Sequence, residues 1–146
     1  MEKLIGNGLE KVIFLDVDGV LNSNHSTEPV IAEDMVKRLA HIAKKTRASI
    51  VLSSSWRYEY MRHINPESDY YDKDIDCLIK MLQKYGLEIA DTTHLSYING
   101  ANARPYEIRT WLTGRANIKR FVILDDEFWH WNYLEDFVVC TMHVAS

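Results

Sequence analysis

Val12-Ile13-Phe14-Leu15-Asp16-Val17-Asp18-Gly19-Val20-Leu21-Asn22 runs apolar for four residues, then sets two aspartates at i and i+2 ahead of a glycine. The apolar run has the length and β-branched content of a strand buried on both faces, as in a parallel sheet. Carboxylates just past the C-terminal end of such a strand lie where open α/β sheets bind ligands. Gly19 allows the backbone to turn sharply there. Two carboxylates this close repel unless a cation lies between them or one keeps a proton. Both outcomes suit chemistry: a hard-cation site, or a nucleophile beside a general acid/base. An Asp-rich turn with no further role is the plainer reading of these residues alone.

The same grammar recurs along the chain. The helix expected over 33–46 buries Val36, Leu39, Ala40 and Ala43 and turns Lys37, Arg38, Lys44 and Lys45 to solvent. Ala48–Leu52 is a second strand, and it ends in Ser53-Ser54-Ser55-Trp56-Arg57. Strand, helix, strand in this order implies a right-handed crossover and a parallel pair, so both polar ends share one edge. Residues 58–73 are polar and aromatic without a clear period. They read as a loop or a small lid, with 58–103 as that insert plus a helix marked by Ile75, Leu78, Ile79 and Leu82. Leu87–Ala90 is a short strand leading to Asp91, and residues 94–103 are a loop. Pro105 suits the first turn of a helix striped by Ile108, Trp111 and Leu112. Arg120–Leu124 is a strand that ends in Asp125-Asp126-Glu127, and Phe137–Met142 is the last strand.

Composition sets the class. The chain has 146 residues, 47% hydrophobic and 26% charged, which suits one globular α/β domain over 1–146. A net charge of −4 argues against a broad nucleic-acid-binding face but allows a phosphorylated small molecule or a nucleic-acid end. No apolar run approaches a membrane span. The opening residues are too few and too polar for a secretory signal, and Gly6-Asn7-Gly8 reads as a loop. Cys77 and Cys140 read as isolated buried thiols in a reducing cytosol, with a disulfide between them as the alternative, so a cytoplasmic location is expected. Trp56, Trp129, Trp131 and Tyr133 are expected in core and rim packing, with base stacking as the other use. The six histidines show no metal-ligand spacing and read as structural.

Asp16-Val17-Asp18-Gly19, the Ser53–Ser55 strand end, Arg104 and Asp125-Asp126 together resemble the four motifs of the haloacid dehalogenase (HAD) superfamily of phosphotransferases. Leu-Ser-Ser-Ser-Trp-Arg, Arg-Pro-Tyr-Glu-Ile-Arg-Thr-Trp-Leu and Ile-Leu-Asp-Asp-Glu resemble a small, nearly capless branch grouped with RNA-repair-associated HAD domains. The resemblance covers about residues 11–142. It implies a three-layer Rossmann-like core, a mostly parallel sheet flanked by helices with minimal or no cap. It also implies Mg²⁺-dependent hydrolysis of a phosphomonoester through an aspartyl-phosphate. Asp16 would be the nucleophile and Asp18 the general acid/base. Mg²⁺ would sit among Asp16, the main-chain carbonyl of Asp18, and Asp125, with Asp126 close by. Ser54, or alternatively Ser53, and Arg104 would hold the phosphoryl oxygens. The third motif is usually lysine in the superfamily, so Arg104 or Arg109 must serve; arginine binds phosphoryl oxygens bidentately. Asn22 and Arg57 are further substrate-side candidates, with turn bonding and pairing with an acid as their structural uses. An open site favours a nucleic-acid end or nucleotide as substrate. A small-metabolite phosphatase and a non-catalytic binding module on the same scaffold are the rivals.

Overall fold

In a computed structural model of the chain, five strands run parallel: β1 (Lys11–Leu15), β2 (Ser49–Leu52), β3 (Ile89–Thr92), β4 (Arg120–Asp125) and β5 (Val138–Cys140). The structure describes residues 11–22, 30–94, 100, 103–127, 129, 131 and 134–140. Gly6-Asn7-Gly8, most of the loops expected after Asn22 and over 94–103, Tyr133 and the end of the expected last strand lie outside them. The helices are α1 (Glu33–Thr46), α2 (Arg57–Ile64), α3 (Lys73–Lys84) and α4 (Ala103–Leu112).

The strand order is β3-β2-β1-β4-β5. The chain steps outward from β1 to β2 and β3, then returns through α4 to lay β4 on the other side of β1. The order therefore reverses between β1 and β4, and open α/β sheets bind ligands at the carboxyl ends beside such a switch point. Asp16 and Asp125 follow or end those two strands.

Period-two alternation sorts the side chains into two layers. Ile13, Leu15, Ile50 and Leu52 share one core cluster with Val36, Leu39, Leu78 and Leu82 of α1 and α3. Val12, Phe14, Val51 and Ile123 share the other with Ile108 and Trp111 of α4. Phe14 meets Trp111 edge-on, with ring centroids 5.4 Å apart at 86°, a favoured aromatic geometry. The three-layer architecture expected from the sequence is present.

Several boundaries move for visible reasons. Residues 58–73, unassigned by pattern, divide into α2 and a returning segment that ends at Asp72, whose carboxylate caps α3. The strand expected at Leu87–Ala90 begins at Ile89, because the Leu87 amide still donates to the Leu82 carbonyl at the end of α3, at 2.9 Å. Phe137 belongs to a short 3-10 turn, Glu135–Phe137, and β5 starts one residue later. Cys77 is free and half-buried rather than buried; the Cys140 side chain is outside the described residues. No helix among the described residues is long and apolar enough to cross a membrane.

Candidate functional site

The strand ladder continues one residue past the strands. The Asp16 amide donates to the Leu124 carbonyl at 3.0 Å, Ser53 to Leu15 at 2.8 Å, and Thr93 to Leu52 at 3.0 Å. Leu15 is in register with both Leu52 and Leu124, and Leu52 with Thr92. A polar row therefore crosses the carboxyl edge of the sheet: Thr93, Ser53, Asp16, Asp125. All four residues are buried. By alternation from Val51, Phe14 and Ile123 the last three face α4, the layer that holds Phe14 and Trp111.

The first turn of α4 answers this row with charge. Arg104 donates from Nη1 to Asp125 Oδ2 at 2.9 Å and lies 3.8 Å from Asp16 Oδ1. Its Nε is 3.6 Å from Glu107 Oε1, one turn on. Glu107 in turn accepts from Arg57 Nη2 at 2.6 Å, and Arg57 Nη1 donates to the Ser54 carbonyl at 2.7 Å. Asp125, Arg104, Glu107 and Arg57 thus form one buried ionic chain. Arginine suits it, since a planar fork can face two acids at once. Trp129 closes the outer side: its ring centroid is 5.1 Å from the Arg104 guanidinium, and its indole N–H donates to Asp125 Oδ1 at 3.2 Å.

Asp16, Asp125 and Asp126 each offer one carboxylate oxygen within 4.8 Å of the others. Gly19 makes the approach of Asp126 possible. Its φ is +80°, and a Cβ there would lie 2.1 Å from Asp126 Oδ2. Burial, then repulsion by Asp125, pushes the Asp16 carboxyl up to about 8; Arg104 and the Val17 amide oppose them only in part. Burial likewise raises Asp125 against the pull of Arg104. Three converging carboxylates, two of them buried and pushed up by that burial, are the donor set of a hard divalent cation, which prefers oxygen ligands and relieves this repulsion. The residues therefore fit Mg²⁺.

The Asp18 carboxylate is not one of that trio but lines one cleft with Asp16 and Asp126. Asn22 Nδ2 donates to its Oδ1 at 3.1 Å and Trp56 Nε1 to its Oδ2, also at 3.1 Å. Asn22 is itself fixed by the Gly19 amide, which donates to its Oδ1 at 3.0 Å, and by its own donation to the Val30 carbonyl at 3.0 Å. A cleft of about 350 Å³ opens over these groups, lined by Asp16, Asp18, Ser55, Arg104, Asp126, Glu127 and Trp129. None of its lining comes from residues 58–73.

The three serines separate. Ser54 is fully buried, and its Oγ accepts the Trp56 amide at 3.1 Å. Ser53 is fully buried with no partner for Oγ among the described residues, and it stands beside Asp16 in the polar row. Ser55 is exposed at the cleft. Arg57 is 3% exposed and occupied with Glu107 and Ser54, which is the structural use weighed for it. Of the two arginines considered for the third motif, Arg104 is the one that reaches Asp125 and Asp16. Pattern reading missed Glu107, although its i,i+3 spacing from Arg104 places both on one helix face. It also missed the indole donors Trp56, 38 residues from Asp18, and Trp129, four residues after Asp125.

A family model described as the HAD domain in Swiss Army Knife RNA repair proteins matches residues 12–145. No curated protein and no solved structure matches.

Proposed function

The chain belongs to the family of HAD domains in Swiss Army Knife RNA repair proteins, and from that footing we propose that it is a Mg²⁺-dependent phosphomonoester hydrolase acting on phosphorylated nucleic-acid ends or nucleotides. Membership implies a phosphoryl-transfer hydrolase. The observation that carries the finer reading is the convergence of Asp16, Asp125 and Asp126 within 4.8 Å under Arg104.

Phosphoryl transfer needs a placed nucleophile, neutralised phosphoryl oxygens and a proton for the leaving oxygen. Asp16 is the nucleophile, its Oδ1 held by the Val17 amide at 2.9 Å. Mg²⁺, held by Asp16, Asp125, Asp126 and the main-chain carbonyl of Asp18, supplies charge neutralisation at the phosphoryl group when bound. An Asp16 oxygen bonds to phosphorus, the ester P–O bond breaks, and Asp18 gives its proton to the departing oxygen. Asp18 then takes a proton from the water that attacks the aspartyl-phosphate, releasing phosphate and restoring Asp16. Arg104 faces the same pocket as a fixed cation for the transferring oxygens. Ser53, on the Asp16 side of the sheet with an uncommitted hydroxyl, serves as the second-motif serine better than Ser54, whose Oγ caps the following turn.

The absence of residues 58–73 from the cleft lining supports an open site and hence a large substrate. The test is phosphate release from an aryl phosphate and from 3′- and 5′-phosphorylated oligonucleotides, with Mg²⁺ or with EDTA. Turnover that requires metal and vanishes in Asp16→Asn, with an oligonucleotide preferred, is expected. A folded, Mg²⁺-binding protein that releases phosphate from none of them overturns the nucleic-acid-end reading. One that neither binds Mg²⁺ nor turns over overturns the enzyme itself.

A further inference from the structure

Trp56 links the end of β2 to the Asp18 loop by a side-chain bond between indole and carboxylate. Its backbone is set by the serine turn: the Trp56 amide donates to Ser54 Oγ at 3.1 Å, and the Trp56 carbonyl accepts from Tyr60 at 2.9 Å. Its ring is half-buried and packs against the apolar cluster under α1 and α3. The indole N–H is thereby aimed at Asp18 Oδ2 at 3.1 Å, across a sequence separation of 38 residues. Asn22 holds the other oxygen.

Each carboxylate oxygen has two lone pairs, so one N–H on each orients the group and still leaves it able to carry or accept a proton. From this geometry, and resting on the phosphatase reading above, we infer that Trp56 is a positioning residue for Asp18, holding the carboxyl where it delivers its proton to the leaving oxygen. Asp18 lies past the end of β1 and just before Gly19, whose φ is +80°, so it has no strand pairing of its own to orient it. Trp56 and Asn22 supply that orientation from two directions. Misplacing a catalytic group by about 1 Å costs on the order of 10²-fold.

This role predicts a signature that mere packing does not. A weakly basic aryl oxide leaves phosphorus without a proton, whereas an alkoxide needs one. The ratio kcat/KM reports phosphoryl transfer to Asp16 and excludes the later water step. Trp56→Phe keeps an aromatic ring and removes the donor. Its kcat/KM on alkyl esters, glycerol 2-phosphate and a phosphorylated oligonucleotide, is expected to fall about 10- to 100-fold, within the range of general acid catalysis. Its kcat/KM on 4-nitrophenyl phosphate is expected to stay near that of wild type. In an Asp18→Ala background, Trp56→Phe is expected to add nothing on the alkyl esters, since both changes remove one function. Equal losses on aryl and alkyl esters, or additive losses in the double variant, overturn the role of Trp56 while leaving the phosphatase standing. Absence of turnover in the wild type on every ester overturns both. Thermal melts of each variant show whether a uniform loss is one of folding.

Discussion

The two faces of the sheet are built from the same strands and end differently. On the α1/α3 side, Ile13, Leu15, Ile50 and Leu52 stay apolar up to the carboxyl edge and join one hydrophobic cluster. On the α4 side, Val12, Phe14, Val51 and Ile123 give way at the edge to Asp16, Ser53 and Asp125. Helix α4 repeats the division along its own length. Ile108 and Trp111 cover the apolar part, and Arg104 and Glu107, one turn earlier, cover the ionic part. One face holds the molecule together, and the other, in its last layer, is where its chemistry is proposed to occur.

Cutting each face in turn tests that division, and the largest effect is expected from Arg104→Ala. Removing one partner of a buried ionic group leaves the others uncompensated and costs about 3–5 kcal/mol. Loss of a preorganised charge on the phosphoryl group also lowers kcat by about 10²–10³. Leu78→Ala, in the opposite layer and fully buried, is expected to cost about 2–5 kcal/mol through its cavity while leaving kcat unchanged well below its melting point. Urea unfolding and steady-state kinetics of the two variants give the comparison. Equal effects on kcat would erase the distinction between the faces.

A smaller pair of cuts uses glycine. Gly19 and Gly86 both have positive φ, at +80° and +75°, so alanine is strained at either by about 1 kcal/mol or more. Their surroundings differ. A Cβ at Gly19 collides with the Asp126 carboxylate, whereas at Gly86 the nearest atom is the flexible end of Lys44 at 3.3 Å. Gly19→Ala is therefore expected to lower both stability and metal-dependent turnover. Gly86→Ala is expected to lower stability alone.

Much of this division is legible in the sequence, and the reason is periodicity. Helix α1 forms over Glu33–Thr46 with Val36, Leu39, Ala40 and Ala43 buried, as its spacing requires. The three strand ends that carry Asp16, the serines and Asp125 come together at one edge, as a parallel sheet dictates. Ser53 continues the alternation of Val51 toward α4, whereas the resemblance to related sequences favours Ser54. Its place beside Asp16 and its Oγ, unpartnered among the described residues, are what support proposing Ser53. Residues 58–73 have no period, because α2 exposes Tyr58, Met61 and Ile64 and buries Arg57. A buried arginine reads as polar surface until its acid, Glu107, is seen 50 residues on. The indole contact at Asp18 spans 38 residues and depends on tertiary placement.

The gentlest cut asks whether the structural face can be weakened without the other noticing. Asp72 caps α3, accepting from the amides of Asp74 at 2.9 Å and Ile75 at 3.1 Å. Those bonds, the Ile75 amide above all, hold its carboxyl below the ordinary 3.8. A folded-state value lower than the unfolded one adds stability that is present above the unfolded value and is lost as pH falls through the folded one. Asp72→Ala is expected to cost about 1 kcal/mol at neutral pH, and progressively less as pH falls below the ordinary carboxylate value through the lowered folded-state one. Asp72→Asn keeps an acceptor at every pH and is expected to lose only a fraction of that. Neither change should move kcat, because α3 packs on the face opposite the proposed reacting groups Asp16 and Asp125. A fall in kcat with Asp72→Ala at full folding would mean that the start of α3 bears on the cleft through Trp56 and α2, and that the two faces are coupled there.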